Sequence, residues 1–283
     1  MPEAPEVQNV IAYLQEELTG AMIEKCMITY PGLCSNLPVE QFEHDIAGEH
    51  FRSFHRLGKY IVIELDDKDL VSHLRMEGKF LIFKNRAAFE AIDPIKDGKH
   101  IHAEFDLSDG RILCYRDTRK FGRLSLYEKV KDWRTLPALE KVGKDALDES
   151  LSAKDLFEAV KKRKAPIKNI LLDQSLIAGI GNIYADEILF EAGISPKSAA
   201  CHLSLEDWQH IMNAARRILA EAMRCGGSTI RSFSYGTGHA GSYQDQLKVH
   251  GKEGKCQNCG TDVVYTRVGQ RGTWYCPKCQ IEK

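Results

Sequence analysis

The chain has 283 residues, with 39 Lys and Arg against 40 Asp and Glu, and a formal net charge of −1. Its 43% hydrophobic and 28% charged content can bury a core, which excludes a disordered or collagen-like chain, and the length suits two domains better than one. Nucleic-acid-binding domains usually carry a basic excess that is missing here, so composition alone points to a metabolic enzyme.

The N-terminal MPEAPEVQNV is acidic and has neither a basic n-region nor an apolar h-region, so no signal peptide is expected. No apolar run approaches a membrane span, and a cytoplasmic, nucleoid-associated location is expected. Val7, Ile11, Leu14 and Leu18 recur at helical spacing and predict an amphipathic helix ending near Gly20. A short helix is predicted over Val39–Ala47. The runs KYIVIELDD, DLVSHLRMEGKFLIFK, HIHAEFDLSDGRILCYRD and RLSLYEKV are rich in β-branched and aromatic residues and punctuated by turn signals such as SDGR. They predict an antiparallel β domain over 1–132, followed by a connecting segment over 133–150. Helices are predicted over Ala153–Lys164, Ala165–Asp173, Asn182–Ala192 and Leu205–Cys225, making a helical domain over 151–225. Residues 226–283 open on the Gly-rich stretch STIRSFSYGTGHAGSYQD and end in a CxxC ribbon. The fold class is therefore α+β.

Charge is unevenly spread: residues 1–150 sum to −6 and 151–283 to +5. Basic clusters, FRSFHRLGK and YRDTRKFGR, interrupt the acidic half. Five of the nine cysteines (Cys26, Cys34, Cys114, Cys201, Cys225) are scattered and read as small buried side chains. The other four form CQNC-x16-CPKC: Cys256, Cys259, Cys276 and Cys279. Two CxxC turns facing each other make a tetrathiolate site. Zn²⁺ is favoured over an iron centre or a redox pair, and its role is structural, because four thiolates leave no open coordination position. The residues between the pairs predict a β-hairpin turning at VGQRG.

Met1-Pro2 is a second signal. Removal of Met1 would leave Pro2 as a secondary amine, nucleophilic when neutral. Such an amine forms an iminium ion with a sugar aldehyde carbon, an electron sink that permits elimination. Glu3 and Glu6 lie close by as candidate acid–base groups.

PEAPEV at the start, HLRMEGKF, DTRKFGR, LLDQSLIAGIGNIYADEILF and the CxxC ribbon together resemble the bacterial formamidopyrimidine-DNA glycosylase (MutM/Fpg) family over nearly the whole chain. The resemblance implies a β-sandwich domain, a helical domain with a helix–two-turns–helix motif and a zinc finger. It implies a monomer acting on damaged double-stranded DNA, releasing 8-oxoguanine and formamidopyrimidines and then nicking the strand. Pro2 resembles the nucleophile, Glu3 the acid that helps open the sugar ring, and Glu6 a supporting carboxylate. Lys59 resembles a phosphate-contacting lysine. Asn182, with Tyr184 beside it, resembles the DNA-backbone clamp. Lys168 resembles a lysine near the lesion strand, and Arg271 the finger arginine. Met76, Arg119 and Phe121 match the wedge residues that fill the hole left by an extruded nucleotide. Five positions depart from the family pattern: Ala4, Gln8 and Asn9, Lys120 in place of a second arginine, and His239 in place of a lysine in the loop covering the extruded base. Two other readings are an oxidised-pyrimidine glycosylase of the endonuclease VIII type and a non-catalytic lesion-binding protein.

Overall fold

The computed structural model describes residues 1–93, 98–228 and 241–283. The chain divides into two compact units. One holds Met1–Pro2 and Glu6–Glu140; the other holds Glu3–Pro5, Lys141–Ser228 and Ser242–Lys283.

In the first unit, α1 (Ala4–Leu18) starts three residues earlier than its apolar periodicity predicts. β1 (Ile23–Ile28) follows, a strand missed in the sequence because IEKCMI buries only every third or second residue. Next come α2 (Val39–Ile46), β2 (Ser53–Leu57), β3 (Tyr60–Glu64), β4 (Lys68–His73), β5 (Lys79–Phe83), α3 (Arg86–Glu90), β6 (Ile101–Leu107), β7 (Ile112–Arg116) and β8 (Arg123–Glu128). The strands form two four-stranded sheets, β1-β6-β7-β5 and β2-β3-β4-β8, antiparallel throughout. Their facing residues, including Cys26, Phe105 and Leu113 from one sheet and Ile61, Leu70 and Leu126 from the other, share one core with Val7, Ile11 and Leu14 of α1. This is a β-sandwich with a helix closing part of its core.

The second unit is helical. α4 (Ala153–Val160) and α7 (Leu205–Arg224) each begin at a capping box, Ser152 with Asp155 and Ser204 with Asp207, which satisfies the first free N–H groups. Between them lie α5 (Ile167–Leu171) and α6 (Asn182–Glu191). α4 and α5 are shorter than predicted, because Pro166 separates them and its ring disfavours helix in the residue before it. α6 is buried nearly all round, and its Ile188 and Leu189 share a core with Trp208, Ile211 and Leu219 of α7. The chain ends in a hairpin of β9 (Val264–Val268) and β10 (Arg271–Tyr275), flanked by the paired cysteines. Among the described residues no helix is long and apolar enough to cross a membrane.

Candidate functional site

Glu3 is buried, and its carboxylate caps the N-terminus of α6. Oε2 accepts from Gly181 N at 2.7 Å and Tyr184 N at 3.4 Å, and Oε1 accepts from Ile183 N at 2.9 Å. These N–H groups have no partner inside the helix, and the helix dipole favours an anion there. Gly181 is required for the approach, since a Cβ on it would stand 2.3 Å from Glu3 Cδ. The turn before the helix is held by Gln174, which donates to Ile180 O at 2.8 Å and accepts from Gly179 N at 3.0 Å. Ala4 N donates to Gly179 O at 3.0 Å. The segment that follows Pro2 is thus fastened to the turn between α5 and α6.

Pro2 and Glu6 are buried at the start of the first unit. Lys59 is also buried and stands at the tip of the β2–β3 hairpin, whose two-residue turn places Gly58 at φ 57°. Arg56 braces that turn: it donates to Gly58 O at 3.0 Å and to Gln8 Oε1 on α1 at 3.1 Å. The unusual Gln8 therefore has a structural use. His73 is buried near Lys59; burial first, then the charges of Arg75 and Lys59, hold its imidazole down to about 3, so it is neutral.

Met76 and Phe121 are large apolar side chains left 38% and 46% exposed. Each follows a non-glycine residue in the left-handed region, Arg75 at φ 54° and Lys120 at φ 59°. The Phe121 loop is built on Asp117, whose buried carboxylate accepts from Arg119 N, Phe121 N and Gly122 N at 2.8–2.9 Å. Arg119 lies over the Phe121 ring at 4.7 Å, and Lys120 Nζ over the Tyr30 ring at 5.0 Å.

The Sγ atoms of Cys256, Cys259, Cys276 and Cys279 all lie within 4.8 Å of one another, with 3.8 Å between Cys256 and Cys279 and 3.5 Å between Cys259 and Cys276. A tetrahedral Zn²⁺ with bonds of about 2.3 Å needs S···S edges of about 3.8 Å, so the donor set fits. Thr261 hydrogen bonds draw Cys259 down to about 6, while burial and its thiol neighbours push Cys279 up. Four thiolates this close need a cation between them.

Profiles of known families match three stretches. The Formamidopyrimidine-DNA glycosylase N-terminal domain matches residues 1–124, the Formamidopyrimidine-DNA glycosylase H2TH domain residues 142–234, and the zinc finger found in FPG and IleRS residues 254–281. A formamidopyrimidine-DNA glycosylase of Bacillus cereus is 41% identical over 282 residues, 99% of each chain. The chain belongs to the formamidopyrimidine-DNA glycosylase family. A Lactococcus lactis FPG mutant in complex with a Fapy-dG containing DNA is similar in structure, with a TM-score of 0.89, 34% identity and coverage of 99% of this chain and 100% of that one. Wild-type Lactococcus lactis Fpg in complex with an oxidised pyrimidine containing DNA has a TM-score of 0.87 at 34% identity, with the same coverage.

As in the Fpg family's zinc finger, the four cysteines hold one structural zinc. The other cysteines are free: Cys26 and Cys114 are buried as expected, whereas Cys34, Cys201 and Cys225 are partly exposed. Two residues singled out by the resemblance have buried side chains. The Lys168 side chain is 0% exposed, and Nζ donates to Asp186 Oδ1 at 2.6 Å and to Gly272 O and Thr273 Oγ1 at 2.9 Å. Tyr184 is likewise buried in the helical core, with its Oη 3.4 Å from Ser228 Oγ. Asn182 is partly exposed and donates to Gly272 O at 3.0 Å, joining the start of α6 to the zinc hairpin. Arg271 is exposed at the hairpin tip. His239 lies outside the described residues.

Sequence reasoning missed the acids of α6. Asp186 also accepts from Trp274 N at 3.1 Å and sits 2.7 Å from His250 Nδ1, while Glu187 accepts from the backbone of Lys248, Val249 and His250. The available signal was two adjacent acids inside an otherwise apolar helix, which demand buried partners.

Proposed function

We propose that the protein is a bifunctional DNA glycosylase and abasic-site lyase that excises oxidised purines, 8-oxoguanine and formamidopyrimidines, in base excision repair. With Met1 removed, the Pro2 nitrogen attacks C1′ of the extruded nucleotide. The C1′–N bond to the base breaks and the base leaves with a proton. Opening of the sugar ring yields an iminium ion between Pro2 and C1′. Loss of a proton from C2′ expels the 3′ phosphate, and a second elimination expels the 5′ phosphate; hydrolysis then frees Pro2. The observation that carries this reading is the Glu3 carboxylate, fastened by three helix N–H groups one residue after Pro2. A fixed carboxylate there can accept the proton that the Pro2 nitrogen loses as its bond to C1′ forms and pass it to the ring oxygen as the ring opens. Glu6 supports it. Lys59, Asn182, Lys120 and Arg271 hold phosphates of the damaged duplex, and Met76, Arg119 and Phe121 fill the emptied stack. His239 belongs to the loop over the extruded base.

The domain assignment that goes with this function is 1–132 for the catalytic β-sandwich, 133–150 for the linker, 151–225 for the helical domain and 226–283 for the lesion loop and zinc finger. The protein acts as a monomer in the cytoplasm, at the nucleoid. Borohydride is expected to trap a covalent adduct with an 8-oxoguanine:C duplex, and Pro2→Gly or a retained Met1 to abolish it. Unchanged trapping with a blocked terminus would refute the mechanism, and no trapping with an open one would favour a lesion-binding protein. The Lactococcus lactis complex with oxidised-pyrimidine DNA supports a second lesion class, which turnover on thymine-glycol duplexes separates from the first.

A further inference from the structure

The ring of Tyr115, on β7, is fully buried and stands edge-on to Phe80, with centroids 5.1 Å apart. Its phenolic oxygen reaches between two loops. A Cβ on Gly78 would stand 2.1 Å from that oxygen, and a Cβ on Gly122 would stand 1.7 Å from it. Gly78 is two residues after Met76, and Gly122 directly follows Phe121. Both loops therefore close on one atom, which fills the space that side chains at 78 and 122 would need. Neither glycine has a positive φ, so close approach, not backbone freedom, is what requires them.

Each loop is stiff in itself. Gly78 N donates to Leu74 O at 2.9 Å, and Phe121 N and Gly122 N donate to the buried Asp117 carboxylate. The left-handed Arg75 and Lys120 are tolerated only where neighbours over-determine them. Stiff loops fix each tip within its own loop but say nothing of the gap between the two tips. That gap is spanned by Tyr115. Burial and the charge of Asp117 push its hydroxyl up, so it stays a neutral phenol. The oxygen has no hydrogen-bond partner among the described residues, so its contact with the two glycines is steric.

We propose that Tyr115 is a positioning residue that sets the spacing between Met76 and Phe121, so that both side chains enter the base stack together when a damaged nucleotide is extruded. The proposal rests on the reading of Met76 and Phe121 as wedges. Phenylalanine at 115 keeps the buried ring and removes only the oxygen between the loops, so Tyr115→Phe folds. The measurement is stopped-flow fluorescence of 2-aminopurine placed beside 8-oxoguanine in a duplex. Borohydride trapping on a single-stranded abasic oligonucleotide, which needs no wedge, serves as the control. In Tyr115→Phe the unstacking rate is expected to fall on the order of tenfold, the scale of a small misplacement of a working group. Single-strand trapping and the thermal midpoint are expected to hold. An unstacking rate equal to that of the unaltered protein overturns the proposal, as does a matching fall in single-strand trapping, which would mean general damage. Met76→Ala and Phe121→Ala separate the two layers of the argument. If they leave unstacking unchanged, the wedge reading fails and this proposal with it. If they slow unstacking and Tyr115→Phe does not, only the Tyr115 proposal fails.

Discussion

On the proposed mechanism, Glu3 couples stability and chemistry in one carboxylate. Glu3→Ala strips the acceptor from Gly181, Ile183 and Tyr184 N–H groups. A buried donor left unsatisfied costs about 1–3 kcal/mol, so a lower thermal midpoint and a loss of base excision are expected together. Gly181→Ala tests the placement of the carboxylate without removing it. Its Cβ would meet Glu3 Cδ at 2.3 Å and displace the carboxylate while leaving it present. Excision is expected to fall by about two orders of magnitude, the scale of a general-acid contribution, together with a lower thermal midpoint. His73 makes a second prediction. In the fold it is neutral with its pKa near 3, whereas the unfolded chain takes up the proton near 6.5. Between those values the unfolded state binds more protons, so this stability is complete above pH 6.5 and is lost as pH falls toward 3. The slope is at most about 1.4 kcal/mol per pH unit. Urea unfolding between pH 7 and 5 should show a shallower dependence in His73→Gln; identical slopes would remove His73 from the account. At this scale, the four zinc-binding cysteines were legible in the sequence because their chemistry depends on residue type and close spacing. Asp117 and Tyr115 were not, because their work depends on residues brought near by strand pairing.

The elements carry the same division. Ser152 and Ser204 with acids three residues on are readable helix starts, and α7 runs close to its predicted span. The burial of Lys168 was not readable. It sits just after KKRKAP, where a lysine reads as solvated, and its partner Asp186 lies 18 residues on. The pair ties α5 and α6 to β10 through the Gly272 carbonyl and the Thr273 hydroxyl, while Asp186 also holds Trp274 N and His250. α6 is thus the shared anchor of the Glu3 site at its N-terminus and of the zinc hairpin along its side. Lys168→Met removes the cation and leaves Asp186 with only Trp274 N and His250 of the partners named. A buried ion pair broken in this way costs about 3–5 kcal/mol. The expected outcome is a lower thermal midpoint and faster zinc release to a chelator, followed by a metallochromic dye. If melting falls but zinc release keeps its rate, the pair stabilises the helices without holding the hairpin.

For the whole molecule, a net charge of −1 was a poor guide to its partner. The +5 of residues 151–283 also overstates the attraction available there, because four cysteine thiolates on one Zn²⁺ contribute about −2. On the proposed assignment, what remains for DNA is local: Lys120 and Arg119 on an exposed loop, Lys59 on a hairpin tip, and Arg271 on the zinc hairpin. Counterion release makes affinity depend on the number of phosphates engaged, with log K falling by about 0.9 per phosphate for each unit of log salt. With roughly three or four phosphates held by these groups, the slope on undamaged duplex is expected to be about −3. Fluorescence anisotropy between 50 and 200 mM salt, roughly the range over which such slopes are read, measures it directly. A slope near −10, the value of a highly basic repressor, would require about three times as many cations on phosphate. Cations other than those named would then have to face the duplex. A shallow slope on undamaged DNA that stays shallow on lesion DNA, with much tighter binding, would place the added affinity in the wedge residues and the extruded base. Discrimination would then come from contacts a regular helix cannot offer, and a nearly neutral protein would be free to leave undamaged DNA.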